Sequence, residues 1–195
     1  DSVSRDRNVK IVNADIRSFI GRSKEKFDVV LINLPPPSTL GMNRFYTAGF
    51  FELLKKRCAE NTVVCTGLPS TANYAGENAL ELNASLWKTL GTCFQNRLFL
   101  TGERNYFLAS DGDLSPQITE LIANRGIENE YVNQYYLDDA LLTQRSESMV
   151  SRFSDAAQVN EDFRPVMFIS QMAHWLSIFG GKLKWLAVFP VLLFA

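Results

Sequence analysis

Asp15, Asn33 and Tyr46 mark the places where this sequence could do chemistry. Asp15 follows a short β-branched run, Val9-Lys-Ile-Val12, in the stretch Asn13-Ala-Asp15-Ile16. A carboxylate just past a strand can accept from an exocyclic amine, and the backbone N–H of Ile16 beside it can donate to a ring nitrogen. That pair suits adenine, although an Asp here also caps a helix. Asn33 opens Asn33-Leu-Pro-Pro-Pro37-Ser-Thr39, and Asn43-Arg-Phe-Tyr46 follows. Successive prolines fix a loop at low entropic cost. A rigid loop at a strand end can hold a substrate group; the plainer reading is a connection with Tyr46 and Phe50 packed inside. Thr66-Gly-Leu-Pro-Ser70, with Asn73-Tyr74 after it, is a third such end with the same two readings.

A sheet must position these ends. Val9–Val12 reads as a short strand and Asp15 to Ile20 as a helix start. Phe27 to Asn33 is a nearly unbroken apolar run, the mark of a strand buried on both faces of a parallel sheet. Leu34 to Met42 reads as loop. Phe45 to Cys58 reads as one helix, with Phe50, Leu53 and Leu54 on one face and Lys55, Lys56 and Arg57 in the last turn, where they suit the dipole. The alternation repeats with a strand at Thr62–Thr66, a loop at Pro69–Gly76 and a helix at Glu77–Leu90. Arg97–Thr101 and Asn105–Ser110 flank a tight connection at Gly102-Glu-Arg104, and helices are expected at Leu114–Asn124 and Leu137–Phe153. The order predicts an open α/β sheet with an antiparallel ending. Ligands of such sheets bind beyond the carboxyl ends of the strands.

Charge narrows the partners. Twenty basic and 21 acidic residues nearly cancel, which argues against a nucleic-acid surface. Cys58, Cys65 and Cys93 are scattered, as buried thiols of a reducing compartment would be. His174, the single histidine, has no ligand-spaced neighbour to suggest a zinc site. The chain begins at Asp1 and stops inside an apolar run, so a longer parent protein is expected. Met167 to Phe179 is apolar, Gly180-Gly181 interrupts it, and Lys182-Leu-Lys184-Trp185 leads into further apolar residues. Lysines and an interfacial Trp before an apolar run are the usual start of a membrane span; a buried C-terminal helix is the alternative. Asn160-Glu-Asp162-Phe-Arg164-Pro165 reads best as a turn that anchors this tail.

The stretches NADIRSFI, FDVVLINLPPPSTLGMNRFYTAGFF, TVVCTGLPS, GERNYFLAS and VNEDFRPVMF, in this order, resemble spermidine synthases and related polyamine aminopropyltransferases. The similarity is greatest to bacterial versions fused to membrane helices. It implies the C-terminal half of a class I S-adenosylmethionine-methyltransferase-like, Rossmann-like α/β sheet, followed by the start of a transmembrane helix. The implied division is a spermidine-synthase-like domain at 1–158, a connector with an amphipathic or interfacial helix at 159–181, and a membrane segment from 182 to 195. The glycine-rich loop and the acidic residue for the ribose would lie upstream.

By the same resemblance Asp15 and Ile16 contact adenine. Asn33 stands where the family has its catalytic aspartate, with Leu34 beside it at the nucleoside, and Pro36 stands where a second aspartate holds the amine; Tyr46 is placed on the substrate side. The implied co-substrate is decarboxylated S-adenosylmethionine or S-adenosylmethionine, with no permanently bound cofactor. The implied partners are a nucleoside, an amine and membrane lipid, with a homodimer left open and no nucleic acid, at the cytoplasmic side of an inner membrane. Asn is close to Asp in shape but takes no proton at neutral pH, and Pro offers no charge. Weak putrescine transfer is therefore expected, with a non-catalytic nucleoside-binding or membrane-scaffold relative as the alternative. An ordinary methyltransferase fits less well, because Asn43–Phe51 and GERNYFLAS follow the aminopropyltransferase pattern.

Overall fold

The computed structural model describes residues 7–70 and 77–178. The sheet has the order β1-β2-β4-β3, from β1 (Phe27–Ile32), β2 (Cys58–Pro69), β3 (Asn96–Leu100) and β4 (Arg104–Ser110). β1 and β2 are parallel, whereas β4 runs antiparallel to both β2 and β3. This is the expected parallel pair with an antiparallel ending. The register pairs Ile32 with Thr66 and Pro69 with Arg104. The carboxyl ends of β1 and β2 therefore share one end of the sheet with the β3–β4 turn.

Seven helices accompany the described sheet: α1 (Ile16–Arg22), α2 (Leu40–Asn43), α3 (Ala48–Lys55), α4 (Glu77–Gly91), α5 (Ile118–Asn124), α6 (Asp139–Val150) and α7 (Val166–Ile178). Tyr46, Phe50, Phe51 and Leu54 pack with Val64, Leu68, Leu86, Leu90, Phe99 and Phe107 in one core. Phe99 and Phe107 meet edge to face at 5.0 Å between ring centres, the arrangement aromatic quadrupoles favour. α7 lies against α4 and buries Met167 fully.

Three expectations change. Val9–Val12 is not a strand, and Val9, Ile11 and Val12 are exposed; a β-branched run becomes a strand only where a ladder partner is present. β1 is not buried on both faces, since Val29 and Leu31 point outward while Val30 and Ile32 pack on the core. The stretch from Leu34 to Cys58 is not a loop followed by one helix. Thr39 caps α2 by accepting from the Met42 N–H, and Thr47 caps α3 by accepting from the Phe50 N–H. Two local caps thus divide what the apolar spacing ran together. The thiols of Cys58, Cys65 and Cys93 are free, and burial pushes all three upward in pKa. The far part of the loop at 69–76 and the membrane segment at 182–195 lie outside the described residues.

The Asn160–Pro165 turn anchors the start of α7, as expected. Asn160 is fully buried. Its Nδ2 donates to Asn43 Oδ1 at 3.1 Å and to the Tyr46 carbonyl at 3.0 Å. Its Oδ1 accepts from the Met167 N–H at 3.2 Å, and its backbone N–H donates to Thr89 Oγ1 at 2.9 Å. One side chain therefore joins α2, the entry to α3 and α7. Replacing Asn160 by Ala leaves three buried polar groups unpaired. The expected loss is about 3 kcal/mol, read as the difference in urea-unfolding free energy. The exposed neighbour change Glu161→Ala should stay within about 0.5 kcal/mol of wild type.

Candidate functional site

The proline loop after β1 is held from two sides. Tyr46 sits in the core with no exposed surface, and its hydroxyl donates to the Pro35 carbonyl at 2.8 Å, with the Leu34 carbonyl 3.2 Å away. Arg104, which opens β4, donates through Nη2 to the Leu34 carbonyl and the Gly67 carbonyl, both at 3.0 Å. One guanidinium thus ties the ends of β1 and β2 together. Its path requires Gly67, because a Cβ there would lie 2.6 Å from Arg104 Nε. In this frame Asn33 is exposed, Leu34 and Pro36 are half-buried, and Pro37 is buried. Tyr46 therefore shapes the loop from beneath, with its hydroxyl spent on loop carbonyls. Burial pushes its phenol up to about 12, offset in part by Arg104 and Thr66, so it remains a donor at neutral pH.

Asp15 performs the capping task its position suggested and pairs with a cation besides. Oδ1 caps α1 by accepting from the Ser18 N–H at 3.0 Å, and Oδ2 lies 3.3 Å from Arg44 Nη1. The Ser18 N–H and the Arg44 charge hold its carboxyl below the usual range, so it is an acceptor at neutral pH. Ile16 is partly exposed beside it. One oxygen of the Asp15 carboxylate is already engaged by Arg44.

Arg17 fastens this helix to the loop. Its Nε and Nη2 donate to the Arg44 carbonyl at 3.1 and 2.7 Å. Nη2 also reaches Thr47 Oγ1 at 2.7 Å and Asp162 Oδ1 at 2.6 Å, while Thr47 donates to the same Asp162 oxygen at 2.9 Å. Gly49 makes room for that carboxylate, since a Cβ there would lie 2.5 Å from Asp162 Oδ2. Asp15, the Asn43–Thr47 stretch and the Asn160–Pro165 turn are thereby one unit.

The same end of the sheet carries a cleft of about 530 Å³ between Pro69, the Thr101–Arg104 turn, Tyr106 and Leu142. Arg104 lines it while holding Leu34, so the cleft and the proline loop share a wall. Arg104, Arg17 and Asp162 were not singled out as site residues from sequence. The available signal was a charged residue beside each motif, which is common on any solvated surface. Asp111 lies away from this end of the sheet: it follows the far end of β4 and pairs with Lys55 at 2.9 Å.

The raised pKa of Tyr46 makes a signed prediction. The folded state keeps the phenolic proton that the unfolded chain gives up near pH 10. The stability Tyr46 contributes is complete below that pH and lost as pH rises toward about 12. Tyr46→Phe should cost about 1–2 kcal/mol at pH 8. The gap to wild type should narrow steadily above pH 10 in parallel urea titrations.

Residues 2–88 match the spermine/spermidine synthase domain. The polyamine aminopropyltransferase of Leptospira interrogans is 37% identical over 60 residues, 31% of this chain and 12% of that protein. Polyamine aminopropyltransferase 2 of Ralstonia nicotianae is 25% identical over 136 residues, 67% of this chain and 26% of its own length. A spermidine synthase solved in complex with the transition state analogue AdoDATO superposes with a TM-score of 0.57 at 17% identity, covering 77% of this chain and 53% of that one. Spermidine synthase from Thermotoga maritima gives 0.51 at 18%, covering 78% and 49%. The chain spans about a quarter or less of these curated relatives and about half of the solved structures. Motifs, domain match and fold point the same way: the chain is similar to polyamine aminopropyltransferases in sequence and to spermidine synthases in its mixed α/β sheet.

Proposed function

We propose that this chain supplies the adenine side and the amine-side loop of an aminopropyltransferase-type site in a membrane-attached protein. Decarboxylated S-adenosylmethionine, or a related nucleoside, is the co-substrate. In such a transfer the amine nitrogen bonds to the methylene beside the sulfonium, the C–S bond breaks to release a thioether nucleoside, and the amine proton passes to a base. Asp15 and the Ile16 N–H face adenine, and Asn33 and Leu34 border the reacting centre. Pro36 and Tyr46 set the loop on the amine side.

The observation that carries this reading is the proline loop itself. Tyr46 and Arg104 fix it at the carboxyl end of β1, where open α/β sheets bind ligands. The same loop supports slow turnover. Residues 33–39 contain no carboxylate, so an attacking amine finds no base there and a polyamine cation no anionic anchor. A nucleoside-binding relative without transfer activity is the second reading, supported by the same absence from the loop. Membrane attachment at the cytoplasmic side rests on Lys182, Lys184 and Trp185 before the apolar run. Among the described residues no helix is long and apolar enough to cross a membrane.

The full-length protein should bind methylthioadenosine in calorimetry, and Asp15→Ala should weaken binding about tenfold or more, as loss of a charge-assisted bond requires. With radiolabelled decarboxylated S-adenosylmethionine and putrescine, Asn33→Asp combined with Pro36→Asp should exceed wild type by about 10²-fold or more. Robust wild-type transfer would show that the base lies elsewhere. Binding with no transfer in either protein selects the second reading. The protein should also stay with membranes through alkaline carbonate, and a reporter fused at Ser151 should give a cytoplasmic signal; release or a periplasmic signal contradicts attachment or its orientation.

A further inference from the structure

Helix α7 presents two faces, one seated on the domain and one exposed. Met167, fully buried, and Ser170, 7% exposed, seat one face on the domain. The outward stripe carries Ile169, Met172 and Leu176 at 57%, 44% and 46% exposure, a spacing that places them in one row along the helix. Trp175 is 49% exposed beside that row, and Phe163, in the turn before the helix, is 102% exposed. Single exposed apolar residues are ordinary, but a cluster of large ones led by a fully projected aromatic marks a contact surface.

The turn that projects Phe163 is built rather than loose. Glu161 and Arg164 exchange backbone hydrogen bonds at 3.1 and 3.3 Å. Their side chains pair at 3.3 Å, and Asp162 is bound to Arg17. Neighbouring charges are thus satisfied, and the ring is the part of the turn offered outward. The chain then continues through Gly180-Gly-Lys182-Leu-Lys184-Trp185 into apolar residues, the composition of a lipid interface.

We infer that Phe163 and the outward stripe of α7 seat in the interfacial layer of a bilayer, with α7 lying along the surface rather than across it. This rests on the membrane-attachment reading and adds which residues meet lipid and how the domain is oriented. With one face held by the domain, α7 can immerse only the other, as interfacial helices do. Charge agrees: α7 carries no acidic residue, and the lysines that follow suit anionic headgroups. The same turn holds Asn43, Thr47 and Arg17, so its seating also fixes the proline loop relative to the membrane.

The test uses full-length protein in vesicles of mixed neutral and anionic phospholipid. Nitroxide labels go on Phe163→Cys and Met172→Cys, with Ser148→Cys on exposed α6 as the water-facing control. Cys58 and Cys65 are only partly buried, so the labels go into a background in which Cys58, Cys65 and Cys93 are replaced by Ser, and that background protein serves as the blank. Collisions with oxygen relative to a water-soluble nickel chelate should be several-fold higher at 163 and 172 than at 148. Equal ratios at all three sites overturn the inference. Shielding from both reagents at 163 and 172, in detergent as well as vesicles, also overturns it, because protein would then cover the stripe. Carbonate extraction of the same vesicles separates the two readings. Protein that resists extraction but has wet labels refutes the seating alone, whereas extractable protein with immersed labels refutes the tail anchor alone.

Discussion

The start of the proline loop is held by a core phenol at the Pro35 carbonyl and by a guanidinium from another strand at the Leu34 carbonyl, and the candidate site depends on that convergence. Tyr46 reaches it from beneath and Arg104 from the side. A proline-rich loop has few conformations, but prolines alone do not choose where it points. The two donors do. Arg104 also holds the Gly67 carbonyl, so the ends of two parallel strands move as one. The cleft beside Tyr106 inherits its wall from the same side chain.

A second constraint governs the other flank. Asn160 and Asp162, late in the sequence, hold groups from the chain's first quarter. Asn160 does so as a buried amide with every polar atom engaged, the condition under which a buried polar group specifies a structure instead of weakening it. Asp162 lies between Arg17 and the cap of α3, where a carboxylate also suits the positive end of the helix. The tail helix is therefore mechanically continuous with the loop that carries Asn33.

These constraints separate shape from chemistry. The frame around residues 33–37 is rigid and satisfied, yet it offers an amide and a pyrrolidine ring where the resemblance implies carboxylates. A rigid frame that carries no carboxylate is what the proposed reading of nucleoside binding with poor amine transfer rests on. Asp15 is ionised and faces Arg44, and in the proposed reading it is the acceptor on the adenine side.

Features encoded within a few residues were legible in the sequence. The Asp15 cap, the β3–β4 turn around Gly102, helix α4 and the anchoring turn at Asn160–Pro165 follow from local hydrogen bonding and apolar period, and the family motifs marked Asn33 and Pro36. The sequence misread Val9–Val12 and the outer face of β1, because strand formation and burial depend on neighbours that composition cannot supply. It merged α2 into a loop and lengthened α3, because Thr39 and Thr47 act as caps only once their hydroxyls meet the right N–H groups. Arg17 with Asp162, and Arg104 with Leu34, were decided by tertiary structure alone. Each pair is far apart in the chain, and only the sheet order and the path of α7 bring their charges and carbonyls within hydrogen-bond reach.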